Sequence, residues 1–346
     1  MPIYCARFSP DGRRLITGGL GGMVVEWDGA TGQQLRVILD TQDLESEPGD
    51  SDLQTDDSDL DAGGPDRSDE DHSPGAGRGR RVSAGLDARL HRQPVKCVAY
   101  SPDGTLFAAG AGTVAVLWRE IDSAAFELLD NDGHPVSAVA LSPDNRWLAA
   151  GSLDPGDDTL RVWQVFDGTP PAAVERFTSH RHVGGVSSLR FSPDSRFLVA
   201  GGYKNSGYTG PIIYEVETGE ALRGFRYDMT RSLDWSPDGR VLATGDDYGN
   251  ARFWDPATGV RLGEANAQSG IILAVRFSSD SRFVATGCSQ GGVRVWDSRT
   301  LQLAGQHQVD GAALAFHFDE GRRALVVAAF GRINRPRLGV IPATWA

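Results

Sequence analysis

Three cysteines, seven histidines and a dense run of carboxylates are the groups in this 346-residue chain with the most chemical potential. A cysteine acts as nucleophile or metal ligand only as the thiolate, in an electropositive and accessible setting. Cys5, Cys97 and Cys288 form no CxxC pair and no disulfide framework, a usage that fits a reducing compartment. Cys5 and Cys97 each stand four residues before the serine of a recurring Ser-Pro-Asp-Gly segment, in a slot that other copies fill with Ala138, Ser188, Ser232 and Ala274. The slot takes small side chains, so these thiols read as packing groups. No two histidines stand at metal-ligand spacing. Asp57, Asp59 and Asp61 alternate as in a calcium loop, but Ala62 stands where the glycine is required and Ser68 where the bidentate glutamate belongs. A nucleophile elbow, a paired-histidine motif and a phosphate loop are all missing from the sequence. The expectation is a chain that is not an enzyme and holds neither metal nor cofactor.

Charge is concentrated in one place. Residues 41–74 carry thirteen Asp or Glu and one Arg, a net of −12 that equals the formal charge of the whole chain. The remainder balances 33 basic against 33 acidic residues, without the basic excess that phosphate neutralisation requires, so nucleic acid is not an expected partner. Residues 41–90 are rich in Asp, Ser, Gly and Pro and nearly free of large apolar groups; such a segment cannot fold by itself and is expected to be a disordered acidic insert. It runs into Arg78-Gly79-Arg80-Arg81, a candidate cleavage loop for an arginine-directed protease. Lys96 and Lys204 are the only lysines, an arginine bias that points to a GC-rich bacterial genome. No apolar run is long enough to span a membrane, and Met1–Arg7 lacks the layout of a signal peptide. A cytoplasmic protein without membrane contact is expected.

The elements that carry these residues repeat. Phe8-Ser9-Pro10-Asp11-Gly12 recurs as Tyr100–Gly104, Leu141–Asn145, Phe191–Ser195, Trp235–Gly239 and Phe277–Ser281, with a worn seventh copy at Phe316–Gly321. Short apolar alternations precede each copy and runs such as Val241–Gly245 follow it, so each Pro-Asp-Gly is a turn between two strands. A third strand then ends in an aromatic: Trp27, Trp118, Trp163, Tyr214, Trp254 or Trp296. A further turn and a fourth strand, such as Gln33 to Leu39, complete each unit.

Four short antiparallel strands with a Trp-Asp near the end of the third resemble the WD40 repeat family, over everything except residues 41–90. The resemblance implies an all-β propeller of four-stranded antiparallel blades. Setting the insert aside leaves 296 residues, about 42 per blade for seven blades against about 40–45 expected. The whole chain, 1–346, is therefore read as one seven-bladed domain. In the family a histidine entering the inner strand joins a serine or threonine and an aspartate in a hydrogen-bond chain to the tryptophan. His91, His182 and His307 stand at that spacing and His134 two residues too close, and no blade shows the full set. Met1 lies almost at the first inner strand, so the C-terminus has to close the ring unaided. There Arg335 occupies the expected aromatic position, and Pro336 and Pro342 limit strand pairing nearby. The last blade is expected to be degenerate, with three strands or a poor fourth from Leu338 to Thr344.

In such propellers the connections between blades, and those between second and third strands, form one face. The insert, Leu153–Asp158 and Tyr203–Gly210 all depart from the repeat on that face. Tyr203, Lys204, Tyr208 and Tyr248, with Arg181 and Arg226, are the candidate partner-binding residues, being of the types that protein interfaces favour. The resemblance implies a protein-interaction scaffold or regulatory subunit in a bacterial signalling or defence assembly. Its expected partners are one or more proteins, a protease or signalling enzyme among them, with the acidic loop regulatory or cleavable. The alternatives are a propeller-platform enzyme and a binder of acidic or modified peptides.

Overall fold

The computed structural model describes residues 2–41, 90, 92–119, 126–153, 159–168, 172–181, 185–202, 210–225, 229–266, 269–331 and 336–343. Their strands form seven antiparallel sheets in chain order, spanning 3–40, 95–130, 136–179, 186–224, 232–266, 272–308 and 312–342. In every sheet consecutive strands pair, the first innermost and the last outermost. The inner strands Ile3–Phe8, Val95–Tyr100, Val136–Leu141, Val186–Phe191, Ser232–Trp235, Ile272–Phe277 and Ala312–Asp319 contact one another in sequence, and the seventh meets the first. The chain is a closed seven-bladed propeller.

The recurring turn is a hydrogen-bonded unit. Ser9 Oγ donates to Asp11 Oδ1 at 2.6 Å and accepts from the backbone N–H of Arg14 at 3.0 Å. Ser101, Ser142, Ser192, Ser236 and Ser278 repeat both bonds. The residue after each aspartate takes a left-handed backbone: Gly12, Gly104 and Gly239, but also Asn145, Ser195 and Ser281. Glycine suits that conformation, and the three exceptions each use their side chain on the preceding blade. Ser195 Oγ accepts the Asp144 N–H at 3.1 Å, Ser281 Oγ accepts the Asp238 N–H at 3.0 Å, and Asn145 donates to Asp103 and Thr105. Side-chain bridging offsets backbone strain at those three positions.

The core lies between blades rather than within them. Seven buried apolar clusters occupy the seven junctions. Each third-strand aromatic packs toward the blade before it: Trp118 joins Ile16 and Leu39, Tyr214 joins Ala138 and Trp147, and Trp254 joins Ile213 and Phe225. Trp27, Trp254 and Trp296 also donate through Nε1 to Thr17, Thr244 and Thr286 at 2.9, 3.0 and 3.1 Å. This is the threonine–tryptophan half of the family's hydrogen-bond chain. His307 sits on the outer strand Leu303–Gln308, opposite Val293, and not at the start of an inner strand; His91 and His182 lie outside the described residues.

The seventh blade has three strands. The stretch offered as a poor fourth strand is the third, Arg337–Pro342, paired with Ala324–Phe330. Its register corrects the position of the missing aromatic. Leu15 faces Trp27 and Val284 faces Trp296, and the equivalent Leu325 faces Ile341, which is buried. An apolar Ile341 therefore fills the tryptophan site, and Arg335 lies outside the described residues. Closure is made by side chains instead of a shared strand: Phe8, Leu15, Val25 and Trp27 pack with Ala315, Val326, Ala328 and Phe330.

Both ends of the acidic insert belong to the ring. Thr41 and Leu90 are fully buried, the Arg92 N–H donates to the Thr41 carbonyl at 2.8 Å, and Thr41 Oγ1 donates to the Gln93 carbonyl at 3.0 Å. Arg78, Arg80 and Arg81 lie outside the described residues.

Two predictions concern closure. Gly12 and Gly239 both have a positive φ, +69° and +75°, but a Cβ on Gly12 would stand 2.3 Å from the His317 ring, while one on Gly239 would meet nothing within 4 Å. Gly239→Ala should cost about 1 kcal/mol from the backbone alone, and Gly12→Ala about 1–3 kcal/mol more from the clash, read by urea denaturation. The second concerns His317, whose pKa is lowered by burial against the opposing pull of Asp319. A lowered folded pKa means that its share of stability is fully present above the unfolded value of about 6.5 and is lost as the pH falls through that range. His317→Asn should flatten the loss of stability between about pH 7 and 5, measured by thermal melts across that window.

Candidate protein-interaction face

The strand directions put the blade-to-blade connections and the second-to-third-strand turns at one end of the ring. Tyr248 stands on such a turn in the fifth blade and is 71% exposed, the most exposed aromatic of the described surface. The turn under it is held rigidly. Asp246 Oδ1 accepts the backbone N–H groups of Tyr248 and Asn250 at 2.9 and 2.8 Å, and Oδ2 accepts from Asn250 Nδ2 and Arg252 at 3.0 and 2.7 Å. Arg252, buried in the third strand, also pairs with Glu264 at 2.9 Å. Burial resists ionisation of Asp246, but the bonds from Arg252 and Asn250 outweigh it and hold its carboxyl below the usual range. Its neighbour Asp247 is pushed up by burial, against the pull of Arg231. An aromatic fixed in this way loses little freedom on binding, the property that makes an anchor residue effective.

Arg181, exposed between the third and fourth blades, opens on the same face. It lies near Tyr214, whose buried hydroxyl meets Ser179 Oγ at 3.1 Å. Burial raises the Tyr214 phenol, with the Ser179 bond and the Arg181 charge pulling against it. Of the expected contact residues, the structure thus brings Arg181 and Tyr248 to one face. Tyr203, Lys204, Tyr208 and Arg226 lie outside the described residues.

The mouth of the central channel on this face adds residues that sequence reading missed. Tyr4, Lys96, Ser137, Ser187, Arg231 and Leu273 occupy equivalent places near the starts of their inner strands and line an upper cavity of about 410 Å³. Deeper in, the residue just before the turn aromatic lines the channel in every blade: Arg7, Ala99, Ala140, Arg190, Asp234, Arg276 and, in the seventh, His317, where pairing with Leu325 makes Phe318 the turn aromatic in place of Phe316. Arginine recurs at that place in three copies of the repeat, a signal overshadowed by the stronger turn motif beside it. The Cys5 and Cys97 thiols also line the upper cavity but are not activated there. Burial pushes the Cys5 thiol up to about 12 and Cys97 well above its ordinary value, which is the reverse of thiolate activation.

Anchor and support are separable by mutation. Tyr248→Ala should leave stability within about 0.5 kcal/mol. Asp246→Ala leaves the buried Arg252 with Glu264 and removes the acceptor of the Tyr248 and Asn250 N–H groups, and should cost about 1–3 kcal/mol, measured by chemical denaturation of both variants beside the parent chain.

The WD domain, G-beta repeat family matches residues 1–28, 88–119, 127–164, 173–206, 223–255 and 260–297, together more than half of the chain. Rat "Apoptotic protease-activating factor 1" is 34% identical over 173 residues, covering 47% of this chain and 13% of that protein. The Arabidopsis thaliana "WD repeat-containing protein WDS homolog" is 31% identical over 163 residues, covering 44% of this chain and 29% of that protein. The Schizosaccharomyces pombe "Small ribosomal subunit protein RACK1" is 28% identical over 180 residues, 47% of this chain and 52% of that protein. The chain spans about half or less of the length of these curated relatives. The closed ring of seven blades, its recurrent turn and these matched repeats make the chain a member of the WD40 repeat family.

Proposed function

We propose that this chain is a non-catalytic protein-interaction scaffold or regulatory subunit that binds its partner through the face carrying Tyr248 and Arg181. The observation that carries this reading is the rigid presentation of Tyr248, 71% exposed above the buried Asp246–Arg252 pair. Tyr4, Lys96 and Arg231 around the channel mouth extend the same surface with residue types suited to protein contact. Membership of the WD40 family supports the scaffold class, and two relatives are named for protease activation and for the small ribosomal subunit. The finer reading places the partner, a protease or signalling enzyme, in a bacterial signalling or defence assembly in the cytoplasm. The arginine-biased composition and three free cysteines are its support. The acidic segment is read as a regulatory or cleavable element, because its buried ends at Thr41 and Leu90 attach it to the binding face.

A second reading, recognition of an acidic or modified peptide, draws on Lys96, Arg231 and the exposed Arg181 on that face. A quantitative pull-down from the native lysate separates the cases, using the parent chain, Tyr248→Ala, and a chain with residues 42–89 replaced by a short glycine linker. The scaffold reading expects a defined partner on the parent chain, weakened about tenfold or more by Tyr248→Ala, as for an interface anchor, and altered by loss of the insert. Capture indifferent to both changes would remove this face from the function.

A further inference from the structure

The central channel carries a concentration of positive charge that the scaffold reading does not use. Two cavities, of about 440 and 410 Å³, are both lined by Arg7, Arg190 and Arg276. Among the described residues lining the first of these, the three arginines face a single carboxylate, Asp234. That carboxylate is already committed. Its Oδ1 takes Arg190 Nε at 3.0 Å and lies 3.7 Å from Arg276, and its Oδ2 accepts the Phe277 N–H at 2.9 Å. Asp234 therefore orients two guanidiniums without neutralising both. Arg190 is further fixed by a 3.1 Å bond to the Leu189 carbonyl. Arg7 has no side-chain hydrogen bond or ion pair with any described residue.

The placement of the three arginines is as informative as their number. They come from the first, fourth and sixth blades, two or three blades apart around a ring of seven, so they approach the axis from three sides. A planar carboxylate offers two oxygens in one direction. A tetrahedral oxyanion offers oxygens to all three sides, and guanidinium forks match its edges. The flanking positions Ala99 and Ala140 are small, which leaves the axis open. The space exceeds that of one phosphate group, and the excess of cations over Asp234 calls for more than one negative charge.

We propose that the central channel is a binding site for a multiply charged phosphate compound, held by Arg7, Arg190 and Arg276 with Asp234 as their positioning residue. The site is separate from the Tyr248 face, and the two stand or fall independently. Bound ligand would bridge strands from opposite sides of the ring and so stabilise the closed form.

The test is calorimetric titration of the full chain with tripolyphosphate, and with citrate at matched ionic strength, alongside thermal melts. Tripolyphosphate is expected to bind with a rise in Tm. Arg7→Gln and Arg276→Gln together should weaken it about a hundredfold, about tenfold for each charge-assisted hydrogen bond removed. Arg261→Gln, on an outer strand, should leave the affinity unchanged, and circular dichroism of each variant controls for folding. Absence of tripolyphosphate binding, equal binding of citrate, or affinity indifferent to the paired arginine change in a folded variant would overturn the proposal.

Discussion

The junction between the first and seventh blades, where Phe8, Leu15 and Trp27 meet Ala315, Val326 and Phe330, is the contact on which the other six depend. Each blade is a thin sheet that buries its two faces only against its neighbours. An open array would leave one face bare at each end and an apolar surface exposed to association. Many rings of this kind are closed by a shared strand. Here, among the described residues, closure rests on side chains, with Gly12 seated against His317 beside that apolar cluster. Burying even one large side chain at that junction contributes about 1.5–3 kcal/mol, and several do so together.

The repeated turns work toward the same end. Six serine–aspartate pairs fix the reversal from inner to second strand, and at three of them the left-handed residue reaches across to the preceding blade. Seven apolar junctions and these polar bridges define one ring, within which Thr41 and Leu90 clamp the acidic segment at its base. A rigid ring is what allows Tyr248 to be presented on a fixed turn and three arginines to point at one axis.

Much of this was legible from residue types and spacing. The blade number followed from the copies of Phe-Ser-Pro-Asp-Gly, and the strand meander from the aromatic that ends each third strand, because turn chemistry and period-two patterning are local. The end of the seventh blade was not legible. Its second-to-third-strand connection is longer, so the residue opposite Leu325 is Ile341, six places beyond Arg335, and register across a connection depends on pairing that spacing does not reveal. His307 was misplaced because the seventh turn pairs Phe318, and not Phe316, with the residue equivalent to Leu15. The support beneath Tyr248 and the sharing of Asp234 by Arg190 and Arg276 were equally invisible, since each joins strands that only the fold brings together.

Hydrogen–deuterium exchange of the full chain, resolved by peptide, tests closure by side chains most directly. If the ring is closed as described, the inner strands Ile3–Phe8 and Ala312–Asp319 should exchange as slowly as Val186–Phe191 on the opposite side, all limited by one cooperative opening. Exchange of the first and seventh blades by orders of magnitude faster than the fourth would show an open array, and would contradict the account.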